Sequence, residues 1–403
     1  MKLKPSIRLG GRRSRLTAMV AAGTTVLGIA SFAVAQAPAH ADPTEVYVAV
    51  GSDTIQDVMN QYSNDLGGNE LGSYNAVNPV SAVAHENITP VEGKHGVSCN
   101  FTRPNGSTEG ENALRKSINQ TTTATQLAAP PQQNCVDIGR SSAAPGSDQK
   151  ADGQLVFIPF ALDAVTGATG PAGTTAITTA DSFTLTDLTN LYTNCTTVSE
   201  GGVTYNPNTA TAGQVQINLY VPQAGSGTLK FWASKLGFSA TTLPACVHQT
   251  ILAGPNAGTQ VEEHDGTAVA SDPNGYMPFS VAQWISQSNG HDERRHGAVL
   301  HNINGVTPCS GGACPSSGGS MNTAFPVTRE VYNIVQYDRV VNTGDGNFDQ
   351  ALASLLAGTG SSLCQDVITI LNYGFAPLST PQTTDNCGST ANTLRAFDST
   401  DPV

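Results

Sequence analysis

The sequence predicts an exported α/β protein built from two lobes. Strand, tight loop and helix follow one another more than once along it. Its 403 residues exceed what one hydrophobic core usually serves, and a charged, then apolar, then small-residue leader opens it.

The leader carries Lys2, Lys4, Arg8, Arg12, Arg13 and Arg15, then an apolar stretch from Ala18 to Ala35, then Ala39-His40-Ala41. That order reads as a cleavable signal peptide over residues 1–41, and the pair Arg12-Arg13 admits either the general or the twin-arginine route. A membrane anchor needs about 20 unbroken apolar residues, and Gly23-Thr24-Thr25, Gly28 and Ser31 interrupt this stretch. Cleavage removes six of the 19 basic residues and none of the 31 acidic ones, which leaves a net charge of −18. Such a field repels nucleic acid and anionic lipid. With the first cysteine at Cys99, no lipid-anchoring thiol stands at the cleavage site. The mature chain is expected to be secreted, and to act as a monomer.

The stretch from Glu45 to Val50 alternates and is rich in Val and Tyr, as a strand should be. It enters the capping cluster Gly51-Ser52-Asp53-Thr54, after which Ile55, Val58, Met59 and Tyr62 recur at helical spacing. The same grammar returns as Gln214 to Val221, Gly225-Ser226-Gly227-Thr228, then Leu229, Trp232 and Leu236. Between them Gly106-Ser107-Thr108 precedes Ala113, Leu114 and Ile118, and Val136 to Gly139 leads into Arg140-Ser141-Ser142. Leu155 to Leu162 and Tyr276 to Val281 read as buried strands or crossovers, and Tyr332 to Val335 as a strand. Thr184 to Tyr192 and Phe348 to Leu356 read as short capped helices, while Ala164 to Ala180 and Cys309 to Ser320 read as surface loops.

An even count of eight cysteines in an exported chain implies disulfides. Eight cysteines allow on the order of a hundred pairings. Short loops favour neighbours, which predicts Cys99 with Cys135, Cys195 with Cys246, Cys309 with Cys314 and Cys364 with Cys387.

A helix N-terminus presents unpaired N–H groups and partial positive charge, so several facing one cleft hold a small oxyanion without a basic surface. Taken in order, the loops resemble a family. Gly51-Ser52-Asp53-Thr54-Ile55, Gly106-Ser107-Thr108, Asp137 to Ala143, Phe157 to Ala161, Leu185 to Leu188, Gly225 to Thr228 and Asn274-Gly275-Tyr276 look like those of the phosphate-binding proteins of ABC importers. The resemblance runs from about Val46 to Leu378. It implies the type II periplasmic-binding-protein fold, two α/β lobes closing over an anion in the cleft between them. The lobes would be 42–157, 158–278, and a return of the first lobe over 279–403.

The resemblance assigns ligand contacts to Thr54, Ser107, Ser226, Gly227 and Thr228, with the backbone of Ile55 beside them, and implies inorganic phosphate as ligand and an ABC permease as partner. In the segment around Ser141, the family has an aspartate where Ser142 stands, and it has an arginine where Pro222 stands. Arg140 is the candidate to supply the missing cation from another loop, with Arg103 a second. Serine can donate to an ionised oxygen or accept from a protonated one, so phosphate and sulfate should be poorly separated, unless Asp53 or Glu109 supplies an acceptor.

Other chemistry finds little support. Glu262-Glu263-His264-Asp265 and His291 to His296 are charge clusters without the spacing of a zinc site and read as solvated faces. Asp345, Asn347 and Asp349 echo a calcium loop, but Gln350 and Leu356 stand where Gly and Glu belong, which leaves helix capping. No G-x-S-x-G elbow occurs. Neither an enzyme activity, a metal nor a cofactor is expected. The rival to an oxyanion-binding protein is a secreted or wall-associated structural or interaction protein that keeps the fold and binds no anion.

Overall fold

A computed structural model describes residues 46–68, 70–90, 99–118, 129, 131, 133–344, 346–378 and 385–398. The leader and its cleavage site lie outside them, as does Asp345. Among the described residues, no helix is long and apolar enough to cross a membrane.

The strand Leu155–Thr169 organises the molecule, and every one of its 15 residues is buried. A strand buried along its whole length must pair its backbone with neighbours on both edges. Its first part pairs antiparallel with Thr328–Gln336, from Leu155 opposite Gln336 to Ala164 opposite Thr328. Its last part pairs antiparallel with Gly275–Ser280, from Val165 opposite Ser280 to Ala168 opposite Met277.

From these pairings one sheet extends in two directions. Beyond Thr328–Gln336 it continues through Ile138–Ser141, Tyr47–Gly51 and Leu71–Ser73. Beyond Gly275–Ser280 it continues through Asn218–Tyr220 and Val247–His248. The strands of each wing run parallel to one another, which requires crossover connections. Helices Gln56–Asp65 and Ser107–Ser117 lie on the connections of the first wing and Gly227–Leu236 on those of the second.

Each wing has its own core. Val50, Ile55, Val58, Phe101, Leu114, Ile138, Phe157 and Ile334 belong to one; Val165, Leu188, Leu219, Trp232, Tyr276, Phe279 and Val327 belong to the other. The long strand passes from the first to the second between Ala161 and Leu162. This is a two-lobed α/β fold.

Most elements fall where the sequence places them. Thr184 closes a capping box with Asp187 at the start of helix Leu185–Tyr192, and Asp349 caps Gln350–Leu356, so the calcium-like spacing serves a helix start. All four disulfides join the expected neighbours, Cys99–Cys135, Cys195–Cys246, Cys309–Cys314 and Cys364–Cys387.

Two readings are corrected. The loop expected from Ala164 is strand as far as Thr169, and small residues there are a packing requirement: a Cβ at Gly167 would collide with the Tyr276 ring. Gln214 to Val221, expected as one strand, divides into Gln214–Gln216 in a separate three-stranded sheet and Asn218–Tyr220 in the main sheet.

Candidate functional site

The loops that end three strands bring hydroxyls together where the two cores meet. Thr54 lies in the turn that follows Tyr47–Gly51, Ser107 opens helix Ser107–Ser117, Ser142 follows Ile138–Ser141, and Thr228 lies in the first turn of Gly227–Leu236. All four are buried. Thr54 Oγ1 donates to Ser142 Oγ at 3.1 Å, and Ser142 N donates to Ser107 Oγ at 3.0 Å. Gly227 lets the second wing approach this closely, because a Cβ there would strike the hydroxyls of Ser107 and Ser142.

The cation facing this cluster is Arg329. Its strand is in register with the long strand so that Arg329 stands opposite Asp163, and the two pair at 2.8 Å. Arg329 also donates to Thr228 Oγ1 at 3.0 Å, to Ser142 O at 3.1 Å and to Thr54 Oγ1 at 3.4 Å. Asp163 is completed by the Ser280 hydroxyl at 2.8 Å and Ala282 N at 3.1 Å. The guanidinium is therefore held in place while touching hydroxyls from both wings.

His264 adds a neutral donor. Ser280 N donates to its Nδ1 at 3.3 Å, which assigns the proton to Nε2, and Nε2 lies 2.8 Å from Thr54 Oγ1 and 3.4 Å from Thr228 Oγ1. Burial, then Arg329 and Arg294, hold its pKa well below the ordinary histidine value. Next to it, the carboxylate of Glu263 accepts from Thr228 N at 2.9 Å.

The structure thus brings Thr54, Ser107, Ser142, Gly227 and Thr228 together, and turns the side chains of Ser226, Ser141 and Arg140 to other partners. Ser226 Oγ accepts from Leu229 N at 3.0 Å and is the helix cap. Ser141 Oγ turns to Ala143 O at 2.7 Å. The Ile55 side chain packs in the first core, while its backbone adjoins Thr54. Arg140 does not serve as the cation of this cluster, which corrects the sequence expectation. Its guanidinium is buried behind the loop, held by the carbonyls of Ala49, Gly51, Ser52 and Tyr74 and by Ser73 Oγ, and burial lowers its pKa to about 9. Arg103 reaches Asn75 O at 2.9 Å.

Neither alternative acceptor joins the cluster. Asp53 is paired with Arg294 at 3.3 Å, although burial still pushes its pKa up to about 7. Glu109 accepts from Asn105 N at 2.7 Å and lies 3.0 Å from His85 Nε2.

Sequence reasoning missed Asp163, Glu263, His264 and Arg329. Asp163 was signalled by a lone carboxylate inside an apolar run. Glu263 and His264 were noticed as part of a charge cluster but taken for a solvated face, whereas both are buried.

Among the described residues, no group of three or more His, Cys, Asp or Glu side chains is placed to hold a metal. Thr169, His301 and Asp181 line up like a hydrolase triad, at 2.7 Å and 3.1 Å, but Thr169 is fully buried and offers no nucleophile to a substrate.

No family model and no curated protein matches the chain. Solved structures similar to it include a Clostridium perfringens protein with bound phosphate, provisionally assigned as a phosphate ABC transporter substrate-binding protein. That likeness is 13% identical over 83% of this chain and 100% of that one, with a TM-score of 0.46. PstS from Borrelia burgdorferi is similar at 12% identity over 84% and 100% of the two chains, with a TM-score of 0.36. The high-affinity periplasmic phosphate-binding protein PfluDING, bound with phosphate, is similar at 11% identity over 87% and 97%, with a TM-score of 0.39.

The different partners of Ser226 and Thr228 separate their expected roles. Ser226→Ala should lower the stability of the fold by about 1 kcal/mol through the lost cap. Thr228→Ala should leave stability nearly unchanged and, if the cluster holds an oxyanion, weaken its binding by about 1 to 3 kcal/mol. Urea unfolding and calorimetry on the two variants check this, and equal binding losses in both would contradict it.

Proposed function

We propose that the chain is a secreted binding protein for a small oxyanion, phosphate, that serves ABC-type uptake and performs no catalysis. The supporting observation is that the Thr54 and Thr228 hydroxyls and the Ser142 carbonyl meet the Arg329 guanidinium, with Ser107 joined to Ser142, between helix starts that belong to different wings. Hydroxyls, backbone N–H groups and one fixed cation are what a desolvated tetrahedral anion requires, and a hydrogen bond to a charged group contributes about 1.5 to 3 kcal/mol. On this reading the chain comprises a signal peptide at 1–41 followed by two lobes, each built on one of the two cores, with the segment from Phe279 to Val327 in the second lobe rather than in a return of the first. The lobes close on the anion, which the monomer carries to a permease.

A calorimetric titration of the mature protein with inorganic phosphate tests the reading, with one site per chain expected. A second reading, a secreted interaction protein that binds no anion, draws on a specific feature: Asp163 already neutralises Arg329 and Glu263 already takes Thr228 N. Absence of binding to any oxyanion would favour it.

Selectivity follows from Ser142. Its hydroxyl repels neither a protonated nor a fully ionised anion, so competition at constant ionic strength should show phosphate and sulfate only weakly separated. Ser142→Asp should shift the preference towards phosphate, because a carboxylate accepts from a protonated oxygen and repels a fully ionised anion. Strong exclusion of sulfate by the native protein would contradict this account of the site.

A further inference from the structure

We infer that Glu263 is a tethered anion, a carboxylate of the chain itself that holds the start of helix Gly227–Leu236 until an oxyanion displaces it. This rests on the oxyanion-binding reading above and adds a competitor to it.

Three observations support the inference. First, Glu263 is 1% exposed, and its Oε1 takes the Thr228 N–H at 2.9 Å, a first-turn donor of the kind an anion takes at a helix start.

Second, nothing else in the site accounts for this charge. Oε2 is buried and, among the described residues, has no hydrogen-bond partner. The nearby cations are matched elsewhere, Arg329 by Asp163 and Arg294 by Asp53. Its one ion-pair contact among the described residues is His264 Nε2 at 4.0 Å, on a ring whose pKa is depressed. A buried carboxylate with one oxygen unsatisfied and no cation of its own is a poor stabiliser of a fold. It resembles a ligand more than a structural ion pair.

Third, the segment that carries Glu263 is built as a strap over the site. Glu262 accepts from Asn105 Nδ2 at 3.2 Å, His264 O accepts from Gln287 Nε2 at 2.9 Å, and Gly266 N donates to Arg294 O at 2.8 Å. Between these ties His264 adopts φ 55°, a left-handed conformation that is strained for a residue other than glycine. Displacing the Glu263 carboxylate gives up one hydrogen bond and lets the strained residue beside it relax. An arriving oxyanion takes the Thr228 N–H and finds Arg329 and the hydroxyls already in place. Because the competitor is attached, it lowers apparent affinity by the fraction of chains whose site it holds.

The test is phosphate binding by calorimetry and stopped-flow on the full mature chain, wild type against Glu263→Gln and Glu263→Ala. The alanine variant is included because glutamine retains an oxygen able to accept from Thr228 N. Removing the competitor should tighten phosphate binding at least ten-fold, with a faster on-rate, and the thermal midpoint without ligand reports that each variant is folded. Weaker binding in both variants would make Glu263 a partner of the ligand and overturn the inference. Binding equal to wild type would overturn the inference alone and leave the oxyanion reading standing. No binding by wild type or either variant would overturn the reading, and the inference with it.

Discussion

Arg329→Gln should abolish measurable oxyanion binding and also destabilise the fold by about 3 to 5 kcal/mol, because it leaves the buried Asp163 carboxylate without its cation. The two effects have separate origins and can be separated. Asp163 Oδ2 pairs with Arg329, while Oδ1 keeps the Ser280 hydroxyl and Ala282 N. In the double variant Arg329→Gln/Asp163→Asn no buried charge remains unpaired, so much of the stability should return. Binding should not return, since the positive charge that touches Thr54 and Thr228 is gone. Urea unfolding reads the first effect and calorimetry with phosphate the second. A double variant that binds as wild type would show that the cation of the site lies elsewhere.

The second large effect concerns a disulfide. Cys195–Cys246 closes a loop of sequence separation 51, whereas Cys309–Cys314 closes one of 5. The chain-entropy account gives about 4 kcal/mol for a loop of the first length and about 2 kcal/mol for the second. Cys195→Ala/Cys246→Ala should therefore lower the unfolding free energy about twice as much as Cys309→Ala/Cys314→Ala. Denaturant curves on both variants measure this, and a larger loss at the short loop would show that local packing outweighs chain entropy here.

What could be read from the sequence was what local rules determine. Alternation followed by helical spacing located Tyr47–Gly51 with its helix and Asn218–Tyr220 with Gly227–Leu236, because each unit lies within a few residues. Loop length was enough to pair the cysteines. The extent of the long strand was not legible, since Gly167 within it makes room for Tyr276, a partner more than 100 positions away.

The same limit explains the site. The hydroxyls sit in loops with a recognisable order, and those of Thr54, Ser107, Ser142 and Thr228 lie together in the structure. Arg329 and Asp163 owe their pairing to the register between two strands 166 residues apart in sequence, which no window of sequence contains. Arg140 was a reasonable candidate by its nearness to Ser142, but in a strand successive side chains alternate, and its own points to the carbonyls behind the loop. Glu263 and His264 looked like surface charge because nothing local distinguishes a solvated cluster from a strap closed over a polar site.

The central claim is that the cluster around Arg329 holds a tetrahedral oxyanion. Co-crystallisation of the mature protein with arsenate, located by its anomalous scattering, tests it most directly. The account predicts one strong peak within hydrogen-bonding reach of Arg329, Thr54, Ser107 and Thr228, with Glu263 moved off Thr228 N. A structure at saturating arsenate with no peak there, and with Glu263 still on Thr228 N, would contradict it.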